Sequence, residues 1–157
     1  SGKTTIGKLL AEKNYGIFID HNEILGLLAR TVGDDNGIYE EIDSLERAMA
    51  KKLLSSGKDT IVARGFSKKN SVANYLSIAR ETNSEAYLIK LNVSEANLKL
   101  RVVAEERKKG FNPTLDEHSL SLWINKNPLE NIAGEYEVDA NEPTESVVDQ
   151  LISHLGP

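Results

Sequence analysis

The first residues of the chain, Ser1-Gly2-Lys3-Thr4, stand in an order suited to holding the phosphates of a nucleotide. They match the second half of the P-loop pattern G-x-x-x-x-G-K-S/T and lead directly into apolar residues at helical spacing. In a P-loop, backbone N–H groups at a helix N-terminus face the phosphates, the lysine reaches the β- and γ-phosphates, and the Thr hydroxyl binds Mg²⁺. The pattern predicts an ATP and Mg²⁺ site, with Lys3 also catalytic, formed by Ser1, Gly2, Lys3, Thr4 and Thr5. A chance Gly-Lys-Thr is the alternative.

Asp20 is the second candidate, because it ends a short apolar segment, 16–20, that has the character of a buried strand. Open α/β sheets bind ligands at the carboxyl ends of their strands. A carboxylate there can hold Mg²⁺ through water, accept the proton of an acceptor hydroxyl, or do both. The alternative is an aspartate that caps the helix after it.

Three arginines are candidates for contacts with anionic groups. Arg64 follows a predicted strand and is expected to hold an anionic phosphate acceptor; the alternative is a solvated loop arginine. Arg107 precedes Gly110 in a basic segment, which we interpret as a lid that closes on the phosphates. The alternative is a solvated basic helix end, which the helix dipole favours. Arg101 either contacts ATP or pairs with Glu105 four residues later.

The histidines and the remaining lysines indicate chemistry less strongly. His21 follows Asp20 and either lines the acceptor pocket or is structural, whereas His118 and His154 have the surroundings of surface residues. No spacing of His, Asp and Glu suggests zinc, so the expected metal is Mg²⁺ bound by oxygen. The lysine pair Lys68-Lys69 is interpreted as a solvated face; if it instead borders the acceptor cleft with Arg64, it favours a nucleotide or nucleic-acid acceptor.

Hydrophobic periodicity predicts helices alternating with strands, and Gly7 stands where a helix would pack closely on a sheet. In the helix over 40–54 we expect one apolar stripe of Ile42, Leu45, Met49 and Leu53. The predicted helices are 4–12, 23–32, 40–54, 71–82, 94–109, 115–125 and 144–155. The predicted strands are 16–20, 59–63, 86–91 and 136–139.

The alternation predicts an α/β fold, a three-layer P-loop NTPase with a mostly parallel sheet flanked by helices. A P-loop joins a strand to a helix, and that strand is central to such sheets. We therefore expect the first, central strand to lie upstream of Ser1, so that the chain is truncated inside the motif.

With these motifs in place, the chain resembles the small P-loop kinases, above all shikimate kinase and its relatives; polynucleotide kinases share the same skeleton. The similarity lies in SGKTTIGKLLA at 1–11, FID at 18–20, IVARG at 61–65, the helix over 98–107, KNPL at 126–129 and VDA at 138–140. The resemblance implies a single kinase domain over 1–157 with a lid-like segment at about 104–120.

The resemblance also implies roles for individual residues. It makes Lys3, Asp20 and Arg107 catalytic, assigns the metal to Thr4 and Asp20, and adds Arg101 and Arg107 to the ATP contacts. The acceptor contacts would be Asn22, Arg64, Gly65 and Lys126. The departures fall on this acceptor side, where the family has Asp in place of Asn22 and Arg in place of Lys126. The ATP half of the family's site therefore carries over, and the shikimate half largely does not.

Composition limits the remaining choices. The 157 residues carry a net charge of −5 and include no cysteine, which excludes disulfides, thiolate metal sites and a cysteine nucleophile and argues against a broadly basic nucleic-acid binder. We predict a monomeric, cytoplasmic, ATP- and Mg²⁺-dependent phosphotransferase for a small hydroxyl-bearing acceptor, without a membrane partner. The alternatives are a nucleoside, nucleotide or polynucleotide 5′-hydroxyl kinase, and an ATP-binding or hydrolysing module that transfers nothing.

Overall fold

The structure is a computed structural model, and it describes residues 2–32, 39–65, 69–103, 117–126 and 132–156. The chain divides into two compact units. Lys3–Ala86 forms the unit called N-terminal below, and Tyr87–Pro157, with which Ser1–Gly2 are grouped, forms the unit called C-terminal. The prediction of a single domain with a lid stays a prediction.

The N-terminal unit alternates helices with two strands. Its elements are α1 (Lys3–Glu12), β1 (Ile17–Asp20), α2 (His21–Val32), α3 (Tyr39–Ser55), β2 (Thr60–Ala63) and α4 (Lys69–Glu81). Strands β1 and β2 are parallel, with Ile17 opposite Thr60 and Asp20 opposite Ala63. The parallel register brings the carboxyl ends of both strands to the same edge, where Asp20 and the residue after Ala63 lie.

Helix α1 packs closely on the sheet through Gly7, as the sequence predicts. A Cβ atom at this position would lie 2.4 Å from Cε2 of Phe18, which is too short for a van der Waals contact. Ile6 and Leu10 are buried beside it. The glycine therefore sets how closely the helix that begins with Lys3 approaches the strand that ends with Asp20.

We expect Gly7→Val to lower the free energy of unfolding by about 1–3 kcal/mol, because the new side chain overpacks against Phe18. Urea denaturation followed by circular dichroism measures the change. Gly65→Val is the matched control, since a Cβ at Gly65 would meet no atom of the described residues within 4 Å. Equal losses in the two variants would contradict the close packing of α1 on β1.

The C-terminal unit is also built on a parallel strand pair. Its described elements are β3 (Leu88–Asn92), α5 (Glu95–Val103), α6 (Glu117–Lys126), β4 (Glu135–Asp139) and α7 (Thr144–Leu155). Leu88 pairs with Glu135 and Asn92 with Asp139. Helix α7 buries three side chains completely or nearly so, those of Val147, Val148 and Leu151.

The observed elements confirm the predicted α/β fold of parallel strands flanked by helices. The apolar stripe predicted for α3 is wrong, because Leu45 and Met49 are 42 % and 38 % exposed. The buried positions are Ile42, Glu46 and Ala50, which follow one another at four-residue intervals on one face. None of the helices within the described ranges has the length and apolar character needed to cross a membrane.

Candidate active site

The start of the chain has the backbone conformation of a turn into a helix. Gly2 has φ of 87°, in the left-handed region that glycine adopts without strain, and α1 begins at the next residue. Lys3 and Thr4 are half-buried and Thr5 is exposed. Ser1 lies outside the described residues. The first N–H groups of a ten-residue helix have no intrahelical acceptor, so this end can donate to phosphate oxygens.

Asp20 ends β1 and is tied down on both of its oxygens. Oδ1 accepts a hydrogen bond from the backbone N–H of Asn22 at 3.0 Å, which caps α2. Oδ2 lies 3.7 Å from Nζ of Lys8, and the carboxylate is 4 % exposed. The capping alternative is therefore observed, and it also holds the carboxylate rigidly at the edge where α/β sheets bind ligands.

Lys8 is a neighbour of Asp20 that no sequence motif indicates. It extends from α1 and also donates to Oε1 of Glu23 at 3.3 Å, with 47 % of its side chain exposed. The hydrogen bond and the charge of Glu23, followed by the charge of Asp20, raise the pKa of Lys8. Lys8 therefore stays protonated and adds positive charge beside the Asp20 carboxylate.

Arg64 directly follows β2 and forms ion pairs inside the N-terminal unit. Its guanidinium donates to Asp43 and, at 3.1 Å, to Oε2 of Glu46, and its side chain is 17 % exposed. Burial acts against its charge, but the hydrogen bond to Tyr75 and the charge of Glu46 outweigh burial, and the pKa of Arg64 is raised. The solvated loop arginine considered above is wrong. Contact between Arg64 and an anionic acceptor stays a prediction.

Glu46 is the centre of this cluster, and sequence reasoning missed it. Its side chain is 0 % exposed, and Oε1 lies 2.6 Å from Nδ1 of His21. Tyr75 donates its hydroxyl to Oε2 at 3.4 Å, and burial, the largest effect on Tyr75, raises the pKa of that phenol. The four-residue spacing from Ile42 is the one signal in the sequence that could have placed Glu46 on the buried face.

We expect Arg64→Ala to lower the free energy of unfolding by about 3–5 kcal/mol, because Glu46 is left buried without its cation. Chemical denaturation measures the loss. Arg47→Ala is the matched control. Arg47 also pairs with Asp43, through Nε at 3.0 Å, but it is 36 % exposed, so its removal should cost at most about 1 kcal/mol. A loss below about 1 kcal/mol for Arg64→Ala would contradict the buried pairing.

The residues proposed to hold Mg²⁺ offer suitable donors. Thr4 carries a hydroxyl and Asp20 a carboxylate, and both are hard oxygen ligands. Within the part of the chain that the structure describes, no three His, Cys, Asp or Glu residues gather into a metal cage. Nucleotide-bound Mg²⁺ needs one or two protein oxygens and completes its shell with phosphates and water, so the donor set fits it.

The other predicted residues are distributed as follows. Asn22 and Gly65 are exposed at the edge where β1 and β2 end. In the C-terminal unit, Arg101 is half-buried and donates to the carbonyl oxygen of Ala140 at 2.7 Å. Lys126 is the last residue of α6, and its side chain lies outside what is described. Residues 104–116 of the predicted lid-like segment, which include Glu105 and Arg107, also lie outside the described residues.

Comparisons with known proteins agree with this architecture. A gluconokinase from Sinorhizobium meliloti superposes with a TM-score of 0.63 over 98 % of this chain and 85 % of that one, at 18 % identity. The likeness shows the α/β fold of the P-loop NTPases. A search of the curated proteins found no match. A family model described as an AAA domain matches residues 1–125. Since this match spans well over half of the 157-residue chain, the chain belongs to that AAA-domain family.

Proposed function

We propose that the chain is an ATP-dependent phosphotransferase that moves the γ-phosphate of ATP to a hydroxyl of a small molecule. The observation that carries the proposal is the buried carboxylate of Asp20, which lies at the carboxyl end of β1 and caps α2 by accepting the N–H of Asn22. It belongs to the same unit as a helix that starts with Lys3 and Thr4. The name of the structural neighbour, a gluconokinase, supports a kinase.

In the proposed reaction the acceptor oxygen forms a bond to the γ-phosphorus, and the bond between that phosphorus and the bridging oxygen breaks to release ADP. Asp20 accepts the proton of the acceptor hydroxyl, while Lys3 and the first N–H groups of α1 stabilise the charge on the phosphates. Mg²⁺, when bound, neutralises charge on the β- and γ-oxygens; Thr4 and Asp20 are the residues that would hold it.

We assign the remaining candidates to the two substrates. The contacts that we propose for the acceptor are Asn22, Arg64, Gly65 and Lys126. Those that we propose for ATP, besides Lys3 and Thr4, are Ser1, Gly2, Thr5, Arg101 and Arg107. A kinase is favoured over a nucleotide-sensing switch because a switch is expected to have an acid after β2, where this chain has Arg64.

A phosphotransfer screen with γ-labelled ATP tests the proposal. The panel holds gluconate, shikimate-like acids, neutral sugars, nucleosides and 5′-hydroxyl oligonucleotides. We expect label to appear on one class of small hydroxyl compound. Label on oligonucleotides or nucleosides alone would favour the 5′-hydroxyl kinase. ATP consumption without any labelled acceptor would favour the module that transfers nothing.

A further inference from the structure

Burying the carboxylate of Glu46 in α3 costs free energy, because the charged group loses its contact with water. A buried ion pair is often no more stabilising than apolar side chains of the same volume, so stability alone does not account for this carboxylate. Its partners come from three separate parts of the N-terminal unit, namely His21 at the start of α2, Arg64 after β2, and Tyr75 in α4. What Glu46 does is hold these three groups in fixed positions.

Among these partners, His21 is held at one ring nitrogen and open at the other. Nδ1 lies 2.6 Å from Oε1 of Glu46. Because a carboxylate oxygen accepts hydrogen bonds, we assign the shared hydrogen to Nδ1, and in that tautomer Nε2 is a hydrogen-bond acceptor. Within the described part of the chain Nε2 has no hydrogen-bond partner. The His21 side chain is 18 % exposed, so the ring is partly accessible to solvent.

The open nitrogen belongs to a residue at the ligand-binding edge of the sheet. His21 directly follows Asp20, which lies opposite Ala63 in the parallel register of β1 and β2. Arg64 is at the same edge, but it is engaged by Asp43 and Glu46. The guanidinium of Arg64 is therefore already paired with two carboxylates, whereas the imidazole of His21 still has Nε2 to offer a ligand.

We propose that His21 binds the phosphate acceptor through Nε2, by accepting a hydrogen bond from one of its hydroxyls, and that Glu46 is the positioning residue that fixes the imidazole ring. The proposal rests on the proposed phosphotransferase function and deepens it. It names a contact for a neutral hydroxyl group, in addition to the basic residues expected around an anionic acceptor.

Steady-state kinetics with the best acceptor of the panel test this contact. His21→Ala is expected to raise the KM for the acceptor about fivefold to tenfold, the worth of one hydrogen bond, and to leave the KM for ATP unchanged. Glu46→Gln, which keeps the volume, should raise the acceptor KM in the same direction. In a chain that already carries His21→Ala, Glu46→Gln should add nothing to it. His154→Ala, a change of an exposed histidine in α7, is the matched control.

An unchanged acceptor KM in His21→Ala would overturn the proposal, and so would full additivity of the two substitutions. If wild-type protein phosphorylates no acceptor, the proposed function fails and the inference fails with it; if it does and His21→Ala behaves like wild type, only the inference fails. A second measurement needs no variant. Long-range ¹⁵N–¹H correlation spectra should show the neutral His21 ring protonated at Nδ1, and protonation at Nε2 would overturn the positioning by Glu46.

Discussion

Phosphotransfer by the Lys3→Met variant is expected to fall about 100- to 1000-fold in kcat, the usual cost of removing one preorganised charge stabiliser from a reaction centre. Methionine keeps much of the length of the side chain and its helix propensity, so α1 should still begin at this position. The change removes the ammonium that we assign to the β- and γ-phosphates. Initial rates at saturating acceptor and ATP measure the loss.

Lys13→Met is the matched control for this substitution. Lys13 is an exposed lysine in the turn after α1, so its removal should leave kcat within about twofold of wild type, on the scale of a change without a role in the transition state. If Lys3→Met and Lys13→Met have equal rates, the chain start does not bind phosphate in the way proposed.

Asp20→Asn is the second substitution with a large expected effect, a fall of about 100- to 10,000-fold in kcat, as expected when a general base is lost. Asparagine is as good a helix N-cap as aspartate, so the hydrogen bond from the Asn22 N–H is retained and stability should change little. The variant therefore removes the charge and the basicity of the carboxylate and keeps its structural role. Rates and denaturation curves from one preparation measure both quantities.

Asp20→Ala supplies the comparison that separates capping from chemistry. It removes both roles and should cost about 0.5–2 kcal/mol of stability in addition to activity. If Asp20→Asn retains phosphotransfer within about threefold of wild type, the residue is a helix cap and the catalytic assignment is wrong.

Local patterns predicted the order and type of the elements. Each helix or strand has its own periodicity, which a short window of sequence contains. The boundaries were less certain where a side chain decided them. Helix α2 begins at His21 and not at residue 23, because the carboxylate of Asp20 accepts the N–H of Asn22 and so starts the helix directly after β1.

The interior of the N-terminal unit could not be predicted in the same way. Periodicity assigns apolar residues to the buried face of a helix. It therefore predicts that Leu45 and Met49 of α3 are buried and does not predict the burial of Glu46. Glu46 can be buried because both of its carboxylate oxygens have polar partners. These partners, His21, Arg64 and Tyr75, lie 25, 18 and 29 residues away in sequence. Pairings at such separations depend on how the strands and helices pack, which no local pattern reports.

The candidate site divides along the same line. The sequence can propose Gly2, Lys3 and Thr4 as phosphate contacts because phosphate binding needs adjacent residues in a set order. Lys8 and the cluster around Glu46 could not be predicted in this way, since their contacts with Asp20 and His21 arise only from the packing of α1 and α3. The acceptor side is therefore where the structure adds most to the sequence.

The ratio of phosphorylated acceptor to ADP, measured on wild-type protein with γ-labelled ATP and the best acceptor, tests the central claim most directly. The proposed reaction forms one bond to the γ-phosphorus for each bond that it breaks, so the account predicts one phosphorylated acceptor for each ADP. ADP that accumulates with free labelled phosphate and without labelled acceptor would show hydrolysis in place of transfer and would contradict the account.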